Sequence, residues 1–326
     1  LCTSVETRFF AHVTDRLLET TGETFSLLEC RFCEILFLAP TPSGDDLKRY
    51  YPSGYWWGEP GSQQRLLGRI SKRLESIYRR AVLSDHVRFL TNAIRNAPAS
   101  EGRVTLMDVG CSGGTLLHEL SKRGVSVRGL DISEEAVAHA RQVYNLDCAV
   151  GDLTSSPWRS ERFSVLSAFH VLEHVPNPRG FLESAHESLV EKGRLVLQVP
   201  NLRSWQFHVF GPRWYGLDPP RHLINFTEQA LVKLLKETGF HLVREKRFSL
   251  RDDAAAWVSS LFPRLDPMAR MSRRARKKGS TVSGSSALGI FWDFVYFLLL
   301  FLAIPIALCD SLWGRGATLM IEAERC

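Results

Sequence analysis

The stretch VTLMDVGCSGG, residues 104–114, restricts the possible folds more than any other part of the chain. Its first six residues are apolar apart from Thr105 and Asp108, as expected of a buried strand, and the small residues Gly110, Ser112, Gly113 and Gly114 follow almost at once. A helical pattern, TLLHELSKRG, begins directly after them. A strand that runs through a glycine turn into a helix makes a binding site: the turn lets a ligand approach the backbone, and the free N–H groups of the helix start favour a carboxylate or phosphate. Asp108, at the strand's end, adds one acceptor.

Downstream, strand and helix alternate in the way that specifies a parallel sheet. Gly124 ends the first helix, and residues 125–130 form a second strand closed by Asp131. Ser133 caps the next helix, whose first turn holds Glu134 and Glu135, where the macrodipole favours acids. Residues 148–150 form a third strand, ending in Gly151 and Asp152, and residues 163–169 a fourth. A helix over 178–192, stopped by Gly193, leads to a fifth strand at 194–199. Thr227 caps a helix to Thr238, Gly239 stops it, and residues 240–248 form a sixth strand. Residues 318–322 read as a last strand, inserted antiparallel beside the sixth. The expected fold is α/β: a doubly wound, mostly parallel, seven-stranded Rossmann-like sheet with a small N-terminal module and a hydrophobic insertion before the last strand.

In such a sheet the ligand lies at the carboxyl ends of the strands, near the point where strand order reverses. Asp108, Asp131, Asp152, His170 and His174 collect there. Asp131 follows Asp108 by 23 residues and ends strand two, where a carboxylate can accept both hydroxyls of an adenosine ribose. Asp152 ends strand three, where an acceptor can meet an adenine amino group. A dinucleotide site wants GxGxxG, and the spacing of Gly110, Gly113 and Gly114 leaves no room for a pyrophosphate.

The turn instead resembles motif I of the class I S-adenosylmethionine-dependent methyltransferases, D-x-G-x-(G/S)-x-G, carried here by Asp108, Gly110, Ser112 and Gly114. The resemblance extends through GLDIS, GDL and FSVLSAFHVLEHVPNP to about Arg251. It implies S-adenosylmethionine as cofactor, with contacts at Asp108, Gly110, Ser112, Gly114, Asp131, Ile132, Asp152, Leu153 and His170. Strand four usually begins Phe-Asp-Val in this family, and Ser164 stands here in place of the acid. LVLQVPN, WYGLDPPRHLINFT and a front end with Cys2, Cys30, Cys33 and Tyr50-Tyr51-Pro52 resemble a bacterial branch that carries an N-terminal cysteine-knuckle module.

Methyl transfer from a sulfonium is an in-line displacement, so an enzyme contributes alignment and exclusion of water, with a base if the acceptor is a hydroxyl. Histidine suits that role near neutral pH. The resemblance places His170 against the methionine moiety and His222, in DPPRH, in the acceptor region, and these two are the candidate catalytic residues. His174, in LEHVP, reads as a structural hydrogen-bonding residue. No clustered carboxylate set suggests a catalytic magnesium, so the expected reaction is metal-independent.

Cys30 and Cys33 form a CxxC in what looks like a short β-hairpin, with Cys2 upstream as a partner. A structural zinc needs four ligands and three cysteines are visible. A further cysteine ahead of Leu1, or His12, would complete the set; reduced cysteines without metal are the other reading. Seven scattered cysteines with no secretory signal suggest a reducing compartment. Aromatic residues over 50–57 (Tyr50, Tyr51, Tyr55, Trp56, Trp57) either cover a substrate or pack on the main domain, and residues 65–96 have the periodicity of one or two amphipathic helices.

The formal net charge of +6 sits entirely between Arg264 and Lys278, where seven basic residues face one acid, Asp266. A basic block beside a long apolar run points to an anionic membrane surface and not to nucleic acid. The run from Phe294 to Cys309 holds 16 uncharged residues, short of the ~20 that a spanning helix needs, and contains Pro305. If the strands on both sides of it belong to one sheet, the run must enter and leave a membrane on the same side. An interfacial or re-entrant anchor is therefore expected, with residues 256–262 (AWVSSLF) dipping in as well. A spanning helix whose final strand is outside the sheet and a dimerisation hairpin are the alternatives. The division that follows is 1–42 for the cysteine-knuckle module, 43–102 for the aromatic loop and amphipathic helices, 103–251 for the cofactor-binding domain, 252–316 for the membrane-associating insertion and 317–326 for the final strand. The expected protein is a methyltransferase acting on a hydroxyl of a small, glycan or lipid-linked acceptor at the cytoplasmic side of a bacterial inner membrane. An inactive cofactor-binding scaffold and a nicotinamide-dependent oxidoreductase are its competitors.

Overall fold

A computed structural model describes residues 6–51, 66–99, 102–278 and 287–326. Strands β1 (Thr7–Thr14), β2 (Thr24–Cys30) and β3 (Leu36–Ala39) lead, followed by the short helix α1 (Gly44–Arg49) and the long α2 (Leu66–Asn96). The amphipathic pattern over 65–96 thus belongs to one helix. Next come β4 (Thr105–Val109), α3 (Thr115–Ser121), β5 (Ser126–Asp131), α4 (Glu134–Tyr144), β6 (Cys148–Val150) and β7 (Phe163–Phe169). They are followed by α5 (Pro178–Ser188), β8 (Leu189–Pro200), α6 (Trp205–Phe210), β9 (Ile224–Asn225), α7 (Glu228–Glu237) and β10 (Phe240–Lys246). Helices α8 (Asp253–Leu261), α9 (Pro267–Lys278) and α10 (Ala287–Leu312) precede β11 (Thr318–Arg325).

Local chemistry sets the boundaries. Ser133 caps α4 by accepting from the Ala136 N–H at 3.2 Å, and Thr227 caps α7 from Ala230 in the same way. Asn177 caps α5, with Pro178 in its first turn, where a missing N–H costs nothing. The far end of α5 departs from expectation: the helix stops at Ser188, four residues before Lys192, because Leu189 is already extended and pairs with Phe163 of β7. The ladder resumes only at Arg194 opposite Val165, and Lys192 takes a left-handed conformation in the extra residues between.

Seven strands pair in the order β10-β11-β8-β7-β4-β5-β6. β4, β5, β6, β7 and β8 are parallel, while β11 runs antiparallel to both neighbours, β8 and β10. The expected last strand is therefore present and lies between the fifth and sixth of the sequence reading. Alternate residues feed opposite faces. Met107, Leu166, Leu195 and Ile321 pack with Phe181 and Leu182 of α5 and Leu231 and Leu234 of α7. Leu106, Val165, Val196 and Met320 pack with Leu90 and Ala93 of α2, Leu117 of α3 and Val137 of α4. Burial on both faces explains why these strands read as near-continuous apolar runs.

The front end is not a separate body. β1, β2 and β3 form an antiparallel sheet whose fourth strand is β9, taken from the main domain. Arg221, fully buried just before β9, ties the two together by bonding Asp15 at 2.8 and 3.0 Å and Asp218 at 2.8 Å. Tyr50 packs edge-on against Phe25 of this sheet. Tyr55, Trp56 and Trp57 lie outside the described residues.

Candidate active site

β4 is flanked by β5 on one side and β7 on the other, so the chain crosses opposite faces of the sheet and leaves a crevice at the carboxyl end of β4. A cleft of about 1510 Å³ opens there. Sites for single ligands fill roughly 300–1,000 Å³, so this one has room for two molecules.

At one end stand the glycine turn and the strand-end acids. Gly110 has φ 75°, and a Cβ there would meet Val171 Cγ2 at 2.5 Å, so glycine is required twice over. Asp131, closing β5, accepts the Ser112 N–H and the Ser133 N–H, both at 2.8 Å. Each oxygen keeps a lone pair for a hydroxyl. Burial raises the Asp131 pKa against these backbone donors, which lower it. Asp152, past β6, holds its own turn through Oδ1, which accepts from the backbone and hydroxyls of Thr154 and Ser155, and it lines the cleft. Ile132, 61% exposed, and Leu153 add apolar wall beside them.

Two expected contacts sit elsewhere. Asp108 turns into the sheet, where its Oδ1 accepts from Ser167 Oγ at 2.6 Å, and it does not line the cleft. Gly114 also lies off the cleft wall; a Cβ there would strike Leu146 and Ala140 at 2.7 and 2.8 Å, so this glycine lets α3 and α4 pack closely.

The other end is polar. His170, at the end of β7 with φ 55°, lies between two carboxylates: Nδ1 reaches Glu173 Oε1 and Nε2 reaches Asp252 Oδ2, both at 3.0 Å. Burial lowers its pKa, but Asp252 and Glu173 outweigh that and raise it to about 9. Both of its nitrogens are engaged, and its raised pKa suits a fixed positioning group better than a base. Gln198 on β8 bonds Asp252 at 2.6 Å and His86 of α2 at 2.9 Å.

His222 donates from Nδ1 to the Gly216 carbonyl at 2.8 Å, and His174 donates from Nδ1 to the Arg221 carbonyl at 2.9 Å. A carbonyl only accepts, so both rings carry a proton on Nδ1, and Nε2 is the nitrogen each can offer to a ligand or substrate. The rings meet edge to face at 4.7 Å, and Tyr51 brings its hydroxyl to 3.0 Å from His174 Nδ1. Burial, reinforced by the neighbouring His222, lowers the His174 pKa to about 4, so it is neutral at physiological pH. Glu173, Gln198, Asp252 and Tyr51 were missed as site residues. Glu173 and Gln198 each interrupt an apolar run, a usable signal, whereas Asp252 reaches His170 across 82 residues of sequence and gives none.

Cys30 ends β2 inside the core, and Cys33 packs on the same cluster. Cys2 lies outside the described residues. His12 cannot complete a zinc set, because β1 and β2 pair Thr7 with Cys30 and His12 with Ser26, which puts His12 level with a point roughly 13 Å along β2. Among the described residues, no group of three metal-binding side chains includes either cysteine.

Fold and cleft together define a doubly wound domain whose cleft runs from strand-end acids to a histidine–carboxylate cluster. The methyltransferase domain family matches residues 75–245, more than half of the chain, and the chain belongs to that family. Its domain is of the class I, S-adenosylmethionine-dependent kind. The ubiquinone biosynthesis O-methyltransferase of Coxiella burnetii is 26% identical over 155 residues, 42% of this chain and 66% of that protein. The mitochondrial ubiquinone biosynthesis O-methyltransferase of Schizosaccharomyces pombe is 31% identical over 152 residues, 44% of this chain and 50% of its own length. The chain thus spans between half and two thirds of these curated relatives. Among solved structures, magnesium protoporphyrin IX methyltransferase from Synechocystis with bound S-adenosylmethionine is similar at a TM-score of 0.46 and 15% identity, over 88% of this chain and 99% of that one.

Proposed function

We propose that this protein transfers a methyl group from S-adenosylmethionine to a hydroxyl of a small, glycan or lipid-linked acceptor at a membrane surface. The observation that carries the reading is a cleft with Asp131 and Asp152 at one end and a histidine–carboxylate cluster at the other. Asp131 would hold the ribose hydroxyls, Asp152 the adenine amino group, and the turn at Gly110 and Ser112 the amino-acid end. Bound there, the cofactor supplies an electrophilic methyl on a sulfonium whose departure needs no proton. His170, fixed between Glu173 and Asp252, positions the boundary between the two halves of the cleft. His222 activates the acceptor hydroxyl, whose proton must leave as the methyl arrives.

The membrane part of the proposal rests on α10. Its buried stripe of Tyr296, Leu300, Ala303 and Ala307 packs on Val258 of α8, and it is tied near both ends. Asp293 pairs with Arg270 of α9, Tyr296 bonds Ser259 at 3.2 Å, and Asp310 accepts from Trp257 Nε1 at 2.7 Å. These ties to its own domain support a helix that lies on a bilayer over one that crosses it. Its other face shows Phe294, Leu298, Phe301, Leu302 and Ile306, with Leu261 and Phe262 of the α8 end also exposed. Ala256 of α8 and Met268 of α9 line the same cleft, which supports an acceptor end beside these helices. This favours an acceptor drawn from the cytoplasmic face of a bacterial inner membrane.

Calorimetry should give saturable binding of S-adenosylmethionine and none of NAD, and Asp131→Ala should weaken it about tenfold or more. Radiolabel from the cofactor should appear in a membrane extract and fall at least about 10²-fold with His222→Ala, cofactor affinity unchanged. Unchanged transfer in that variant would remove His222 from the reaction, and binding without any transfer would leave a scaffold.

A further inference from the structure

Glu173 is fully buried, and only one of its carboxylate oxygens has a partner. Oε1 meets His170, while Oε2 is buried with no hydrogen-bond partner. An orphaned carboxylate oxygen in a protein interior is costly, and its persistence calls for a ligand. The ligand's chemistry follows from the neighbours. His174 and His222 each donate Nδ1–H to a backbone carbonyl, which leaves Nε2 as the nitrogen each ring can offer to a ligand. One ligand atom from each of Glu173, His174 and His222 lies within 4.8 Å of the other two. Two imidazole nitrogens and one carboxylate oxygen are the donor set of divalent transition-metal centres that keep open positions. The outer partners fit as well: ligating histidines are usually oriented by a second hydrogen bond to a carbonyl, and ligating carboxylates are themselves hydrogen-bonded, as Glu173 is to His170. Ligand atoms around zinc stand about 3.4 Å apart, so side-chain adjustments of about an ångström would close the set.

We infer that Glu173, His174 and His222 form a binding site for one divalent transition-metal ion at the acceptor end of the cleft. The site rests on the reading of that end as the place where the acceptor hydroxyl is activated, and it specifies how. Such an ion would supply an open position that acidifies the acceptor hydroxyl, whose proton would pass to solvent. The oxygen lone pair then forms the O–CH3 bond as the S–CH3 pair leaves with sulfur. His222 would act as a ligand and not take the proton itself. The sequence-based expectation of a metal-independent reaction looked only for clustered carboxylates, and this set is assembled by the fold from segments 48 residues apart.

The full chain, stripped with chelator, should be titrated with Zn2+, Mn2+ and Co2+ and followed by calorimetry and, for Co2+, by its visible d–d absorption. One ion per chain with micromolar or tighter affinity and a nitrogen/oxygen-type cobalt spectrum is expected. His222→Ala and Glu173→Gln should each weaken binding about 100-fold, with S-adenosylmethionine affinity retained. Should Glu173→Gln fail to fold, His174→Ala replaces it. Failure of the wild-type chain to bind any of the three ions, or unchanged binding in the variants, overturns the site. Methyl transfer measured on the same samples separates the two proposals. Transfer that survives chelation without metal binding leaves His222 as the base and removes the ion. Metal binding without transfer to any membrane acceptor leaves the ion and removes the acceptor assignment.

Discussion

Asp108 shows how a residue can be chosen correctly for its position and still act differently. It ends β4 beside the glycine turn, yet its carboxyl points at Ser167 on the neighbouring strand. Burial, only partly offset by the Ser167 hydrogen bond, raises its pKa to about 7. A carboxyl whose folded value lies above its unfolded one favours folding at low pH, and that contribution is lost as pH rises from about 4 through about 7. Asp108→Asn keeps an acceptor for Ser167 and removes the charge. Thermal melts should show its advantage over the wild type growing with pH, from ~1.5 kcal/mol at pH 5 to ~4 kcal/mol at pH 8.5. Equal melting at both values would mean that the buried carboxylate is better solvated than its surroundings indicate. The direction in which Asp108 points was not legible, since strand position specifies which residue ends β4 but not which neighbour its side chain meets.

At the level of elements, α10 departs most from its sequence pattern. Its uncharged core of 16 residues seemed too short to span and broken by proline, but the helix runs 26 residues through Pro305, about 39 Å. Asp293 is accommodated within it because Arg270 of α9 is there to pair with it. The two faces should answer differently to truncation. Leu300, in the buried stripe, should lose about 2–5 kcal/mol on change to Ala, whereas exposed Leu302→Ala should stay within about 0.5 kcal/mol, both read by denaturant unfolding. Equal costs would mean that both faces are covered, as in a dimerisation hairpin. A sequence that is apolar on every side cannot announce which stripe faces protein, because that depends on where α8 stands.

For the whole molecule, β11 constrains the membrane contact proposed above. It lies between β8 and β10, inside the main sheet, directly after α10. Both ends of the apolar helix are therefore on the side of the catalytic domain. On anionic vesicles the protein should float with the lipid, high salt should weaken but not abolish this, and Leu298→Ser with Phe301→Ser and Leu302→Ser should release it. A protease outside the vesicles should reach the C-terminus; protection there would require a spanning helix and a displaced β11.

The sequence by itself determined the alternating sheet, its glycine turn and the strand-end acids, because these depend on periodicity and on spacing within a few tens of residues, and the resemblance of its motifs carried the family. Tertiary structure alone decided the partners that depend on distant segments meeting. It joined His170 to Asp252 and gathered Glu173, His174 and His222. It took the fourth strand of the front sheet from β9 and placed Cys30 in the core, away from His12. A residue's type fixes what bonds it can make, but only packing fixes which groups are left to make them with.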